Sequence, residues 1–195
     1  MSERKIRIGI QGGRGSFNDT AVRTYLKDKN TSQHEILYLN TTANVLKAIH
    51  ENKIELGQFA LYNSTGGIYG ESLNEIGKYT FTVLDTYKIR ISHALMISKA
   101  AKMEEVDTII THPQVMKQCR LNLSKKYSHL KLKVGEGELT DPARVAEKLG
   151  AGELSKNVAV VSNELLAEVY DLKVVETGLE DHTDNESTFL LVSKI

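Results

Sequence analysis

Three internal segments of this chain carry residue types whose spacing suits the handling of a small anion or alcohol. Gln11-Gly-Gly-Arg-Gly-Ser-Phe17 sets three glycines, a guanidinium and a hydroxyl between a β-branched run and a helical pattern. Backbone N–H groups of Gly15 and Ser16 can then approach an anion at a helix start, where the dipole favours negative charge, and Arg14 adds a full positive charge. An ordinary tight turn has the same composition. The segment lacks the Gly-Lys-Ser/Thr of a P-loop and the third glycine and distal acid of a dinucleotide fingerprint. Tyr62-Asn63-Ser64-Thr65-Gly66-Gly67 follows an apolar run. Asn63 and Ser64 have the donors and acceptors to hold carboxylate or hydroxyl oxygens, or to form an Asx turn. Thr111-His112-Pro113-Gln114 reads as a helix start with Thr111 as N-cap, whose first-turn N–H groups suit an anion. Gln118 falls on the face of Gln114, four residues on; the alternative is a capped helix with exposed glutamines.

The end of the chain adds a fourth segment. Polar residues run from Glu180 to Thr188, and an apolar strand is expected from Phe189 to Val192. Asn185, Ser187 and the acids Asp181, Asp184 and Glu186 would sit beside a rigid element, a common way to build a site. Other chemistries find no support. The six histidines show no HxxxH pair and no cysteine partner, so no metal site is expected. There is no Gly-x-Ser-x-Gly elbow. The lone Cys119 reads as a small buried residue rather than a nucleophile.

The elements that must position these groups alternate in type. Strands are expected at Ile6–Ile10, 36–39, 59–61, within 81–97, and at 106–110, 130–134, 158–161 and 174–175. Helices are expected at 18–27, after the Thr41-Thr42 cap, at 71–77, from Pro113 through Leu121, after Asp141-Pro142 as far as Gly150, and at 163–170. This alternation predicts an α/β fold with largely parallel sheets. Two such series predict two lobes, residues 1–90 with 178–195 and residues 91–177, with ligand in a cleft between them. Lys+Arg and Asp+Glu are 25 each, so no basic excess points to nucleic acid and no polybasic run to an anionic membrane. The single cysteine, the absence of a signal-peptide core after Met1–Lys5 and the absence of a long apolar span point to the cytoplasm.

Taken in order, the segments resemble the catalytic domain of prephenate dehydratases. The first loop resembles that family's Gly-x-x-Gly-Ser/Thr-Phe/Tyr-Ser motif, and Asn63-Ser64 its Glu-Asn-Ser loop. Thr111-His-Pro-Gln with Gln118-Cys119 resembles Ser-His-Pro-Gln…Gln-Cys. Ser162 to Leu172 resembles Ala-Ser-x-x-Ala-Ala-x-x-Tyr-Gly-Leu, and Leu179-Glu-Asp, Asn185 and Phe189 match the ending Ile-x-Asp-x-x-x-Asn-x-Thr-Arg-Phe. The resemblance covers nearly the whole chain. It implies a two-lobed fold like the type II periplasmic binding proteins and decarboxylating dehydration of prephenate to phenylpyruvate, without metal or organic cofactor. It implies catalytic roles for Ser187, Asn63 and Gln118. Substrate contacts would come from Arg14, Gly15, Ser16, Ser64, Thr111, His112, Thr188 and Phe189. A small carboxylate is the expected partner, with a second copy of the chain as a candidate and no nucleic acid or membrane.

The departures from the family pattern are equally specific. Thr-Arg-Phe becomes Ser187-Thr188-Phe189, so a carboxylate-binding arginine is replaced by Thr188. Losing a bidentate guanidinium at a dianion costs about 1.5–3 kcal/mol, roughly ten- to a hundred-fold in affinity. The loop glutamate becomes Tyr62, and the serine after Phe17 becomes Asn18. With the chain ending just after its last strand, an ACT regulatory domain, and phenylalanine feedback through it, are not expected. The leading expectation is therefore a dehydratase-type lyase with altered activity. Two alternatives stay open: a non-aromatising prephenate decarboxylase, against which the Ser187 hydroxyl argues, and a non-catalytic binding or sensor protein for a small carboxylate. Arg14 is the expected replacement cation, with His182 second. Arg14→Ala is expected to weaken carboxylate binding and Thr188→Arg to strengthen it.

Overall fold

A computed structural model describes residues 5–29 and 33–195; residues 1–4, assigned above to the first lobe, lie outside it. The elements run β1 (Ile6–Ile10), α1 (Phe17–Asp28), β2 (His34–Tyr38), α2 (Thr42–His50), β3 (Leu56–Asn63), β4 (Gly67–Ile68), α3 (Gly70–Ile76), β5 (Thr82–Arg90) and β6 (Ala94–Ser98). They continue β7 (Thr108–Thr111), α4 (Pro113–Gln118), α5 (Arg120–Lys126), β8 (Lys131–Val134), α6 (Pro142–Gly150), β9 (Val158–Ser162), α7 (Leu165–Val169), β10 (Leu172–Thr177) and β11 (Glu186–Ser193). Among the described residues no helix is long and apolar enough to cross a membrane. The fold is α/β with two sheets. The chain divides into two units, one holding the residues up to Gly13, Phe17–Ile89 and Glu186–Ile195, the other Arg14–Ser16 and Arg90–Asn185.

In the first unit the strand order is β2-β1-β3-β11-β5, with β4 added to β3. β1 is parallel to β2 and β3, whereas β11 runs antiparallel to β3. Strand alternation sends side chains to two faces. One face packs Phe59, Leu190 and Val192 against Val45, Leu46 and Ile49 of α2; the other packs Ala60 and Phe189 with Ala21 of α1. A Cβ on Gly57 would stand 2.5 Å from Ile49 Cδ1, so the close seat of α2 on β3 depends on that glycine. Thr41 caps α2 by accepting from the Asn44 N–H at 3.1 Å, as its type and position predict.

In the second unit the order is β10-β6-β9-β7-β8. β7 is parallel to β8 and β9, while β6 is antiparallel to β9 and β10. Leu95, Ile97, Ile109, Cys119 and Leu123 fill one buried face; Met96, Val145, Leu149, Val160 and Leu166 fill the other.

Four expectations are corrected. Both sheets are mixed rather than largely parallel, because β11, β6 and β10 insert antiparallel. The helix from Pro113 does not reach Leu121: it breaks at Cys119, whose φ of −120° and ψ of 11° are not helical, and resumes as α5. The chain re-enters the first unit between Asn185 and Glu186 rather than near residue 178, because Leu179 is fully buried in the second unit's core. The last strand begins at Glu186, so Ser187 and Thr188 are strand residues rather than loop residues. Polar side chains hide a strand when one end of it serves a hydrogen-bond network instead of the core.

Candidate functional site

In the first unit, β3 and β11 bring Asn63 opposite Ser187. Both are fully buried. Asn63 Oδ1 accepts the backbone N–H of Thr65 at 3.0 Å and of Gly66 at 2.6 Å. Backbone N–H groups only donate, so the amide orientation is settled and Nδ2 must face the other way. There it donates to the Glu186 carbonyl and to Ser187 Oγ, both at 3.0 Å. All four hydrogen-bonding positions of the Asn63 amide are thereby used within the protein. Asn63, expected as a catalytic group, holds Ser187 Oγ as an acceptor, which leaves the hydroxyl proton to be donated elsewhere. Tyr69 brings a phenol to 3.4 Å from the same oxygen. Ser64 Oγ accepts from the Glu186 N–H at 2.9 Å, and the Ser64 N–H donates to the Glu186 carbonyl at 2.8 Å. These bonds lock the loop to the start of β11.

The β3–β11 register shifts between Thr188 and Phe189, so that Thr188 faces Tyr62 and Phe189 faces Ala60. A bulge of this kind re-aims side chains at the end of a strand pair. Alternation then puts Ser187 on the face of Phe189 and Thr188 on the face of Leu190. Phe189, expected to touch ligand, is 1% exposed and stacks on Tyr87 with ring centroids 5.9 Å apart; it is a core residue. The pairing of Thr188 with Tyr62 also joins two departures from the family pattern. A glutamate and an arginine at these positions would face each other across the two strands.

The second unit holds the other expected residues. Thr111 is fully buried at the end of β7, and its hydroxyl donates to the Val161 carbonyl of β9 at 2.6 Å. The helix cap expected from Thr111 is made by His112, whose ring Nδ1 accepts the Gln114 N–H at 3.1 Å. An accepting Nδ1 requires the neutral ring with its proton on Nε2. Burial, with a smaller contribution from Lys117, pushes the His112 pKa down to about 4. The ring is therefore neutral at pH 7 and cannot serve as a cation for a carboxylate. Gln118 Oε1 accepts from His93 Nε2 at 2.7 Å and from Asn185 Nδ2 at 2.8 Å. Its oxygen is saturated, so any ligand contact by Gln118 must use Nε2. Glu180 accepts the His93 N–H at 2.9 Å, and Asp181 takes the Leu121 and Asn122 N–H groups at the start of α5, both at 2.9 Å.

Arg14–Ser16 belong to this second unit. Gly15 has φ of 80°, and a Cβ there would lie 2.9 Å from Leu166 Cδ2 of α7. The glycine is needed both for its left-handed backbone and for close approach to α7. Tyr170 Oη donates to the Arg14 carbonyl at 3.2 Å. The Arg14 side chain is exposed, and among the described residues no carboxylate pairs with it. Ser16 is buried.

The prephenate dehydratase profile matches residues 8–195. The chain belongs to the prephenate dehydratase family. Prephenate dehydratase of Lactococcus lactis is 28% identical over 191 residues, covering 97% of this chain and 64% of that protein. Arogenate dehydratase 2 of Petunia hybrida is 23% identical over 190 residues, covering 97% of this chain and 45% of that protein. The chain thus spans about half to two thirds of the length of these relatives. Among solved structures, Arthrobacter aurescens prephenate dehydratase in complex with L-Phe superposes with a TM-score of 0.81 at 18% identity, covering 97% of this chain and 61% of that one. A Bacillus subtilis lipoprotein assigned to methionine binding gives 0.51 at 13% identity over 100% of this chain and 85% of that one, in keeping with a periplasmic-binding-protein-like fold.

Sequence reading of this prephenate dehydratase family member missed Tyr69, His93 and the clamp role of Asn185. Tyr69 sits among glycines with no periodic signal. His93 looks like one polar residue in an apolar run, and only the tertiary fold sets it 2.7 Å from Gln118.

The His112 cap has a measurable pH signature. Between about pH 6.5, the value for an exposed histidine, and about 4, the unfolded chain binds a proton that the folded chain refuses. Stability is therefore expected to be full above pH 6.5, to fall as pH drops through this window, and to level off below it for this group. The full loss is on the order of 3 kcal/mol. Buried His93, whose pKa is also lowered by burial, acts in the same direction. His112→Asn keeps a good cap without a titrating ring. Urea midpoints across pH 4–7 should show a shallower slope for this variant than for the parent; equal slopes would rule the cap out as the source.

Proposed function

We propose that this chain is a prephenate dehydratase-type lyase, converting prephenate to phenylpyruvate, carbon dioxide and water. In this reaction the bond between the ring and its carboxylate breaks, and its electron pair enters the ring. The C4–OH bond breaks, and the departing oxygen takes up a proton as the ring becomes aromatic. The one group the protein must place is therefore a proton donor at the C4 oxygen. The observation that carries the reading is the Ser187 hydroxyl. It is buried, on a strand, and held as an acceptor by an asparagine whose own orientation is dictated by two backbone N–H groups. Its proton is the part left for a ligand. The same hydroxyl favours dehydration over a decarboxylation that leaves C4–OH in place.

The two carboxylates of prephenate need positive charge. In this proposal Arg14, exposed and, among the described residues, without a carboxylate partner, supplies it. Gln118 contributes Nε2. Arg14→Ala is expected to raise the Kd for prephenate about ten- to a hundred-fold, the usual effect of losing a charge-assisted bond. Thr188→Arg is expected to tighten binding when Tyr62 is present. The gain should be smaller in Thr188→Arg/Tyr62→Glu, because the facing glutamate takes the guanidinium. Calorimetric titration of the three variants checks both statements.

Product analysis after incubation with prephenate tests the reaction itself. Phenylpyruvate with carbon dioxide is the expected result. A non-aromatic keto acid would replace the proposal with a decarboxylase, and binding without turnover would replace it with a carboxylate-binding protein.

A further inference from the structure

We infer that Tyr69 is a positioning residue for the Ser187 proton. The inference rests on the dehydratase reading for its chemistry and on geometry alone for its hydrogen bond. Tyr69 stands at the junction of β4 and α3. Its N–H donates to the Leu61 carbonyl at 2.9 Å, and its carbonyl accepts the Leu73 N–H at 3.0 Å, so its backbone is held from both sides. β4 is itself paired with β3, Tyr62 to Ile68 and Asn63 to Gly67. The ring packs on the buried cluster of Ala21, Ala60 and Phe189. A ring held this way delivers its hydroxyl to one place, and that place is 3.4 Å from Ser187 Oγ.

The direction of this hydrogen bond decides what Ser187 can do. Asn63 Nδ2 already occupies one lone pair of Ser187 Oγ, because the asparagine oxygen is taken by Thr65 and Gly66. A phenolic O–H is a stronger donor than an aliphatic alcohol, so the favoured arrangement is Tyr69 donating to Ser187. Both lone pairs of the serine oxygen are then filled, and its hydrogen must point away from both donors, toward a ligand. When Ser187 gives its proton to the departing C4 oxygen, the Tyr69 O–H and the Asn63 N–H stabilise the negative charge that develops on Oγ. The Tyr69 proton can follow onto Oγ, and solvent restores the phenol, so no proton is created or lost.

Tyr69→Phe keeps the ring and removes only the hydroxyl. We expect kcat for prephenate to fall about tenfold with KM within twofold, and the melting temperature to stay near that of the parent. The double variant Ser187→Ala/Tyr69→Phe should be no slower than Ser187→Ala, since Tyr69 acts through Ser187. Parent-like kcat in Tyr69→Phe, or additive losses in the double variant, overturn the inference. If the parent does not turn over prephenate, the functional reading fails first, and the hydrogen bond is tested without it. The tyrosine 13Cζ resonance lost in Tyr69→Phe must then shift in Ser187→Ala; an unmoved resonance overturns the inference whatever the activity.

Discussion

Ser187→Ala is expected to lower kcat for prephenate by about 10²–10⁴, the range for removing a positioned general acid. The loss should appear in kcat more than in KM, because proton donation matters only as the C4–O bond breaks. Structural damage must be separated from chemistry, since the variant leaves Asn63 Nδ2 short of one buried acceptor. That omission costs about 1–3 kcal/mol of stability, which does not unfold a typical domain. Ser187→Thr restores the hydroxyl and should recover most of the turnover. Asn63→Asp removes both donors and turns the group into an acceptor, so it should lower kcat nearly as far as Ser187→Ala. Phenylpyruvate formation followed by absorbance, with a thermal melt of each variant, gives the comparison. Ser187→Ala turning over at more than a third of the parent rate would remove Ser187 from the mechanism.

Phe189→Ala is expected to destabilise the protein by about 3–5 kcal/mol, the cost of deleting a fully buried aromatic ring. Phe189 is 1% exposed, lies between Ala21 and Ala60, and stacks on Tyr87. α1 and the sheet cannot collapse far into the vacated space, because both are tied by regular backbone bonds. Phe189→Leu should cost clearly less. Guanidinium unfolding of both variants measures the effect. If Phe189 touched ligand instead, stability would hardly change and affinity would fall; that result would return the residue to the site. Because Ser187 shares the strand face with Phe189, a loosened core should also lower kcat in Phe189→Ala, by less than the alanine change at Ser187 itself.

Much of the architecture is legible in local sequence, for a physical reason. Helical and strand periods are properties of neighbouring residues, so the alternation of elements, the Thr41 cap of α2, the Pro113 start of α4 and the Asp141 cap of α6 can all be read from residue types. The ordered motifs from Gln11 to Phe189 were enough to suggest the family that the profile match over residues 8–195 supports. The motifs single out a hydroxyl at 187 and an amide at 63, and the fold sets the two 3.0 Å apart.

Tertiary structure alone decided what each of those groups does. Asn63 turns its amide N–H groups toward Ser187 because the turn at Thr65 and Gly66 takes up its oxygen, and a turn's N–H directions depend on backbone angles that residue types do not specify. Thr188 and Tyr62 form one pair because the β3–β11 bulge sets their register across 126 residues of chain, and a one-residue slip would send every side chain to the other face. His112, rather than Thr111, caps α4, and burial holds its ring neutral. The pairing of β4 with β3 places the Tyr69 phenol beside a serine 118 residues away. Local sequence determines which elements form and which groups they carry; the register, burial and long-range pairing that convert those groups into acceptors, donors or core side chains are properties of the folded chain.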